Sequence, residues 1–220
     1  MQEKESRERD PSPASREQMV QISRRIDWRF LLPDGFLGRV GCLAPANKDL
    51  LTALQYFSDS LTILSSHEPG DAGMGNAEVF DLAVIPATAV TALEVITTML
   101  KPGGYLYWEV RRSNRRKGGA KGAGKSFSRL AHVRRYAEYL RGLGFEDIAI
   151  HWHRPGFANC KEFIPLPALR SEEKAALRYA FSRGQSGLAG RLKLLAGRAA
   201  LISGLLPRLV PCFSVVARKL

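Results

Sequence analysis

The chain has 220 residues, 45% of them hydrophobic, and a formal net charge of +12; this is enough for one packed domain with appendages. No run of about eighteen apolar residues occurs, which argues against a spanning helix, and the opening MQEKESRERDPSPASREQM has no apolar stretch of the signal-peptide kind. Three cysteines, Cys42, Cys160 and Cys212, stand far apart without C-x-x-C spacing, which disfavours a disulfide framework or a zinc site and fits a reducing cytoplasm.

Residues 1–22 are charged, carry two prolines and show no apolar period, so they read as a disordered tail before a domain at 23–220. RRIDWRFLLPDG (24–35) sets Trp28, Phe30, Leu31 and Leu32 beside Asp27 and Arg29, and is expected to pack on a sheet edge or cover a pocket mouth. A strand is predicted from Arg39 to Leu43, followed by a helix in NKDLLTALQYF (47–57), with Leu50, Leu51, Leu54 and Phe57 at helical spacing and Asn47 as cap. SLTILSS (60–66) reads as a strand, HEPGDAGMGNAE (67–78) as a loop and FDLAVIPAT (80–88) as a buried strand.

Residues 88–112 predict a helix ending near Leu100, a turn at Lys101 to Gly104 and a strand from Tyr105 to Val110. FSRLAHVRRYAEYLRGLGF (127–145) places Leu130, Val133, Tyr136, Ala137 and Leu140 on one helical face, closed by Gly142 or Gly144. FEDIAIHWHRP (145–155) is a strand whose His151 and His153 share a face; no third ligand is apparent, so a partly exposed strand face is favoured over a metal site or a base. His132, beside the basic loop, is a further candidate base, and PCFSVVARKL (211–220) is the closing strand. Strands alternating with helices predict an α/β fold with a doubly wound, mostly parallel sheet, whose ligand site lies beyond the carboxyl ends of the strands.

The positive charge is localised. Ten Lys or Arg residues and no acid lie between Arg111 and Arg135, and nine more, again with no acid, lie from Lys174 onward. The remainder has 14 basic against 21 acidic residues, so the body is mildly acidic and the partner of the two segments is expected to be anionic. Arg111, Arg112, Arg115, Arg116, Lys117, Lys121 and Lys125 are the candidate anion-binding residues of a Gly-rich loop at 111–126, against the alternative of a solvated linker. Only Phe127 interleaves an aromatic ring there, which disfavours nucleic acid.

GGAKGAGKS (118–126) matches the phosphate-loop pattern G-x-x-x-x-G-K-[ST] at 119–126. Its setting is wrong for that role. Eight residues separate it from the preceding strand, and no later strand ends in a magnesium-binding Asp, so P-loop nucleotide binding ranks third.

The strand and turn GRVGCLAP, the strand FDLAVIPAT, the turn and strand LKPGGYLYWEV, the helix and strand LRGLGFEDIAI and the closing FSVVARK together resemble the class I S-adenosylmethionine-dependent methyltransferases. The resemblance implies a Rossmann-like sheet with a helical insertion at about 156–210 before the last strand. It also implies S-adenosylmethionine as cofactor, held around Gly41, Cys42, Ala44, Ser65, Glu68 and Pro86. No catalytic residue is assigned, since methyl transfer mainly requires alignment of nucleophile and sulfonium. Two departures stand out: one glycine remains of the family's Gly-rich turn, with Pro45 removing an N–H, and Glu68 falls late for a ribose carboxylate. Asp81 opens its strand and is read as structural.

In the resembled topology both basic segments overhang the carboxyl edge. The insertion carries Leu188, Leu192, Leu195, Ala199 and Ile202 on one stripe, interrupted by Arg191, Lys193 and Arg198; at 187–210 it fits either core or dimer packing or peripheral contact with a membrane. The expected function is methyl transfer to an acidic or lipid-linked small molecule, by a cytoplasmic protein able to associate with a membrane. The alternative is a non-catalytic methyltransferase-like scaffold that binds a membrane surface or an enzyme partner through its basic segments.

Overall fold

The computed structural model describes residues 13–44, 46–64, 79–87, 93–111, 133–166, 195, 199 and 210–220. Residues 13–22, read above as part of a disordered tail, belong to helix α1 (Pro13–Ser23), which runs into a 3-10 segment, Arg24–Leu31. The helix is amphipathic only at its end, where Ile22 packs against the core, so it leaves no period in the sequence. Strand β1 (Arg39–Leu43) leads into α2 (Lys48–Phe57), where the Leu50 N–H donates to Asn47 Oδ1 at 2.8 Å as the cap requires. Then follow β2 (Ser60–Leu64), β3 (Phe80–Ile85), α3 (Leu93–Met99) and β4 (Leu100–Arg111). The chain continues through α4 (Val133–Gly142), β5 (Phe145–Arg154), β6 (Glu162–Pro165) and β7 (Cys212–Lys219).

These strands form one sheet in the order β2-β1-β3-β4-β7-β5-β6. β2, β1, β3 and β4 are parallel, β7 runs antiparallel between β4 and β5, and β6 folds back antiparallel on β5. The mostly parallel α/β sheet is as expected from the alternating pattern. β6 is not: Glu162–Pro165 falls inside the stretch assigned to the helical insertion, and four residues are too short to show a period. Beyond Leu166 that insertion lies outside the described residues, except Leu195 and Ala199, which are exposed, and Val210.

The predicted turn at Lys101 to Gly104 is a bulge inside β4. Phe80 faces Leu100 and Leu82 faces Tyr105, so one strand carries more residues than its partner across this interval. Gly103 sits at φ 78°, and a Cβ on Gly104 would stand 2.9 Å from the Lys101 carbonyl oxygen. The bulge turns Lys101 onto Asp81, Nζ to Oδ1 at 2.8 Å, while Asp81 Oδ2 accepts the Arg39 N–H at 2.8 Å. Burial pushes the Asp81 carboxyl up, but these two hydrogen bonds and the charges of Lys101 and Arg39 bring it below the usual carboxylate value. Asp81 thus ties β1, β3 and β4 at their amino ends, the structural place its position predicts.

The two sheet faces bury separate cores. Leu106, Trp108, Phe213 and Val215 lie in the core that Tyr136 and Leu140 of α4 share, and Val40, Leu82, Val84 and Tyr107 lie in the core of α2 and the 3-10 segment. Gly41 is fixed by this packing: a Cβ there would lie 2.9 Å from the Phe80 ring. Gly41→Ala is therefore expected to lose about 1–3 kcal/mol of stability in a urea titration, with partial recovery when Phe80→Leu is added to the same chain.

Candidate functional site

The strand order reverses at β1, whose neighbours β2 and β3 lead away in opposite directions, and in open α/β sheets the region beyond the carboxyl ends at such a reversal is where ligands bind. Ala44 follows β1 on one side, and Pro86 and Ala87 follow β3 on the other. Arg111, exposed, ends β4 on the same edge, and Cys212, which begins β7, pairs with it. The start of the first basic segment and the return of the insertion are therefore adjacent at this edge. The other end of the insertion differs from expectation: the Leu166 N–H donates to the Ile150 carbonyl at 2.7 Å, partway down the sheet.

Of the positions that the resemblance assigns to the cofactor, Gly41 and Cys42 are interior. Gly41 lies under the Phe80 ring, and Cys42 is fully buried against the opposite core. Burial, then the Glu109 charge, push the Cys42 thiol up to about 12, so it stays a neutral packing group rather than a nucleophile. Ala44 does reach the edge, but its N–H donates to the Leu64 carbonyl at 2.8 Å and so extends the pairing of β1 with β2. Pro86 is buried at the end of β3 and has no N–H to offer. Ser65, Glu68, Pro45, His132 and the cations Arg112, Arg115, Arg116, Lys117, Lys121 and Lys125 lie outside the described residues, as does the phosphate-loop match at 119–126.

The residue missed by the sequence reading is Glu109. Only 3% exposed, it accepts the Ala87 N–H on Oε2 at 3.3 Å and meets Arg25 Nη2 on Oε1 at 2.6 Å, with the Tyr107 hydroxyl donating to Oε1 at 3.4 Å. Arg25 is also buried, and its Nε and Nη1 have no hydrogen-bond partner among the described residues. Trp28, three residues on, stacks flat on Tyr107 with ring centroids 3.7 Å apart. Arg29 adds a guanidinium 4.0 Å from the centre of the Phe57 ring, fastening the 3-10 segment to α2. The segment thus packs on the sheet face directly beneath the carboxyl edge. A lone acid in the apolar run YLYWEV, and an arginine preceding a buried tryptophan, were the signals that could have paired them.

His151 and His153 share this face, as the strand period requires. His153 is 1% exposed, contacts Ser214 Oγ through Nε2 at 2.8 Å, and is boxed by the rings of Phe157 and Phe163. His151 is half-buried, so the face is more enclosed than expected. Among the described residues no group of three or more His, Cys, Asp or Glu gathers, and no helix is long and apolar enough to cross a membrane.

For S-adenosylmethionine these residues fit in part. With the N–H groups of Ala44 and Ala87 engaged and Pro86 lacking one, the described edge has few donors for a carboxylate.

No family model matches the chain, and no curated protein sequence matches it. Among solved structures it is similar to a SAM-dependent methyltransferase from Archaeoglobus fulgidus at 11% identity and a TM-score of 0.49, covering 91% of this chain and 94% of that one. It is also similar to phosphoethanolamine N-methyltransferase 2 of Haemonchus contortus in complex with S-adenosyl-L-methionine, at 15% identity and a TM-score of 0.45. That match covers 94% of this chain, which spans about half (53%) of the length of the Haemonchus enzyme. A parallel sheet reversing at β1, closed by an antiparallel β7 between β4 and β5, gives this chain a class I methyltransferase-like fold.

Proposed function

We propose that the chain binds S-adenosylmethionine beyond the carboxyl ends of β1 and β3 and transfers its methyl group to an acidic small molecule or a lipid headgroup. The observation that carries this reading is the shared edge: the reversal of strand order at β1 and the exposed Arg111, where the first basic segment starts, face the same side of the sheet. The bound cofactor would supply an electrophilic methyl on a sulfonium. This chain's part would be to hold the acceptor in line and to draw it in by charge, which needs no dedicated base when the acceptor is already an anion. The neutral Cys42 thiol does not compete as a nucleophile.

The non-catalytic scaffold has its own support. Gly41 is closed by Phe80 and the Ala44 N–H is engaged by Leu64, so the turn after β1 is poorer in open backbone than the family pattern. Titration calorimetry with S-adenosylmethionine and S-adenosylhomocysteine, with ATP and magnesium in parallel, separates the readings. Micromolar binding of the sulfur ligands is the expected result, and Arg111→Ala should then weaken the acceptor and not the cofactor. Silence toward all three, with binding to anionic vesicles, would give the scaffold.

A further inference from the structure

Glu109 stands where three parts of the molecule meet: its own strand, Ala87 two residues beyond the end of β3, and the 3-10 segment. The Ala87 N–H lies at the carboxyl edge just beyond β3, and Arg25 belongs to the segment that covers the sheet face below it. We infer that Glu109 is a positioning residue, which sets the chain beyond β3 through the Ala87 amide and couples that edge to the N-terminal segment through Arg25. The inference rests on the binding reading above for its ligand, but its local content does not.

The chemistry separates two roles of one carboxylate. As half of an ion pair, Glu109 balances the Arg25 charge, a role that an apolar pair of similar volume replaces at little cost. As an acceptor for Ala87, it can be replaced only by a group with an oxygen at that place, because an amide left without a partner is penalised. Among the described residues Arg25 uses one guanidinium nitrogen on Glu109 and has no partner for Nε and Nη1, so the pair is far from saturated as a stabilising contact. The acceptor role is the better reason for an acid at this point.

Two double variants of the full chain test this. Arg25→Met with Glu109→Gln removes both charges and keeps an amide oxygen facing Ala87; Arg25→Met with Glu109→Leu removes the oxygen as well. Hydrogen exchange of the Ala87 amide, read by NMR, is expected to stay slow in the first and to speed at least tenfold in the second, with the β3 amides unchanged in both. S-adenosylhomocysteine affinity should follow the same order, falling at least tenfold only in the leucine variant. Equal Ala87 exchange in the two variants would overturn the proposal and leave Glu109 as an ion-pair partner. If the wild-type chain binds no S-adenosylhomocysteine, the binding reading fails, and Ala87 exchange alone decides the role of Glu109. If the leucine variant does not fold, Glu109→Ala in the Arg25→Met background replaces it, with the same two outcomes.

Discussion

Trp28→Ala should lower stability by about 3–5 kcal/mol, the range for truncating a large, fully buried aromatic side chain. Trp28 is 1% exposed and lies parallel to the Tyr107 ring, interplanar angle 9°, so its loss removes apolar burial and a stacked pair together. The cavity cannot be filled readily, because the segment is held on either side of Trp28 by Arg25 on Glu109 and by Arg29 on Phe57. For a domain whose total stability is of order 5–15 kcal/mol this is a large share. The check is a urea transition followed by circular dichroism. A midpoint shift at unchanged slope is expected, with Trp28→Phe losing less than half as much because it keeps a ring against Tyr107. A loss below about 1 kcal/mol for alanine would mean that the 3-10 segment is weakly docked.

The second large effect is acid sensitivity. Burial, then the His151 and Arg25 charges, push His153 down to about 3, and burial pushes His151 down to about 4. Both rings are neutral in the folded chain at pH values where the unfolded chain protonates them. The unfolded state therefore binds more protons below about pH 6.5, and each histidine removes about 1.4 kcal/mol of stability per pH unit from there downward. The decline would continue to about pH 4 for His151 and about pH 3 for His153. At pH 5 the two together amount to about 4 kcal/mol. Asp81 acts in a separate window: with its folded value lowered, its contribution is present above the ordinary carboxylate value of 3.8 and is lost only as pH falls below it. Urea midpoints at pH 7.5 and pH 5 measure the slope, and His153→Gln should roughly halve it. An unaltered slope in that variant would show that the ring already protonates in the folded chain.

The strands other than β6 and the Asn47 cap were legible because their signals are local. A period of two, a period of 3.6 and a cap residue three positions before its partner can all be read within a few residues. LKPGG carries true turn chemistry, but its neighbours in the sheet hold it as a bulge, a tertiary constraint that no local window contains. Gly41 shows the same limit at the candidate site. A glycine near a strand end invites a ligand explanation, whereas its packing reason is a phenylalanine on the next strand over. Arg25 and Glu109 are far apart in sequence and each is an ordinary charged residue there; only burial together makes them a pair. The edge itself, with Ala44, Pro86 and Arg111 on one side, followed from strand order and so was accessible from pattern alone.

The small strand β6 has a consequence for how the molecule behaves in a crowd. Among the described residues it is the outermost strand on its side, and it pairs inward with β5 through the rungs at Trp152 and Ile164 and at Ile150 and Leu166. Alternation then turns the backbone groups of Phe163 and Pro165 outward, and Pro165 has no hydrogen to donate. A stray strand arriving from another molecule would find one amide donor and then a gap on this flank. Among the described residues, a proline at the rim thus leaves this edge one donor short, a feature that disfavours growth of a sheet by edge-to-edge pairing.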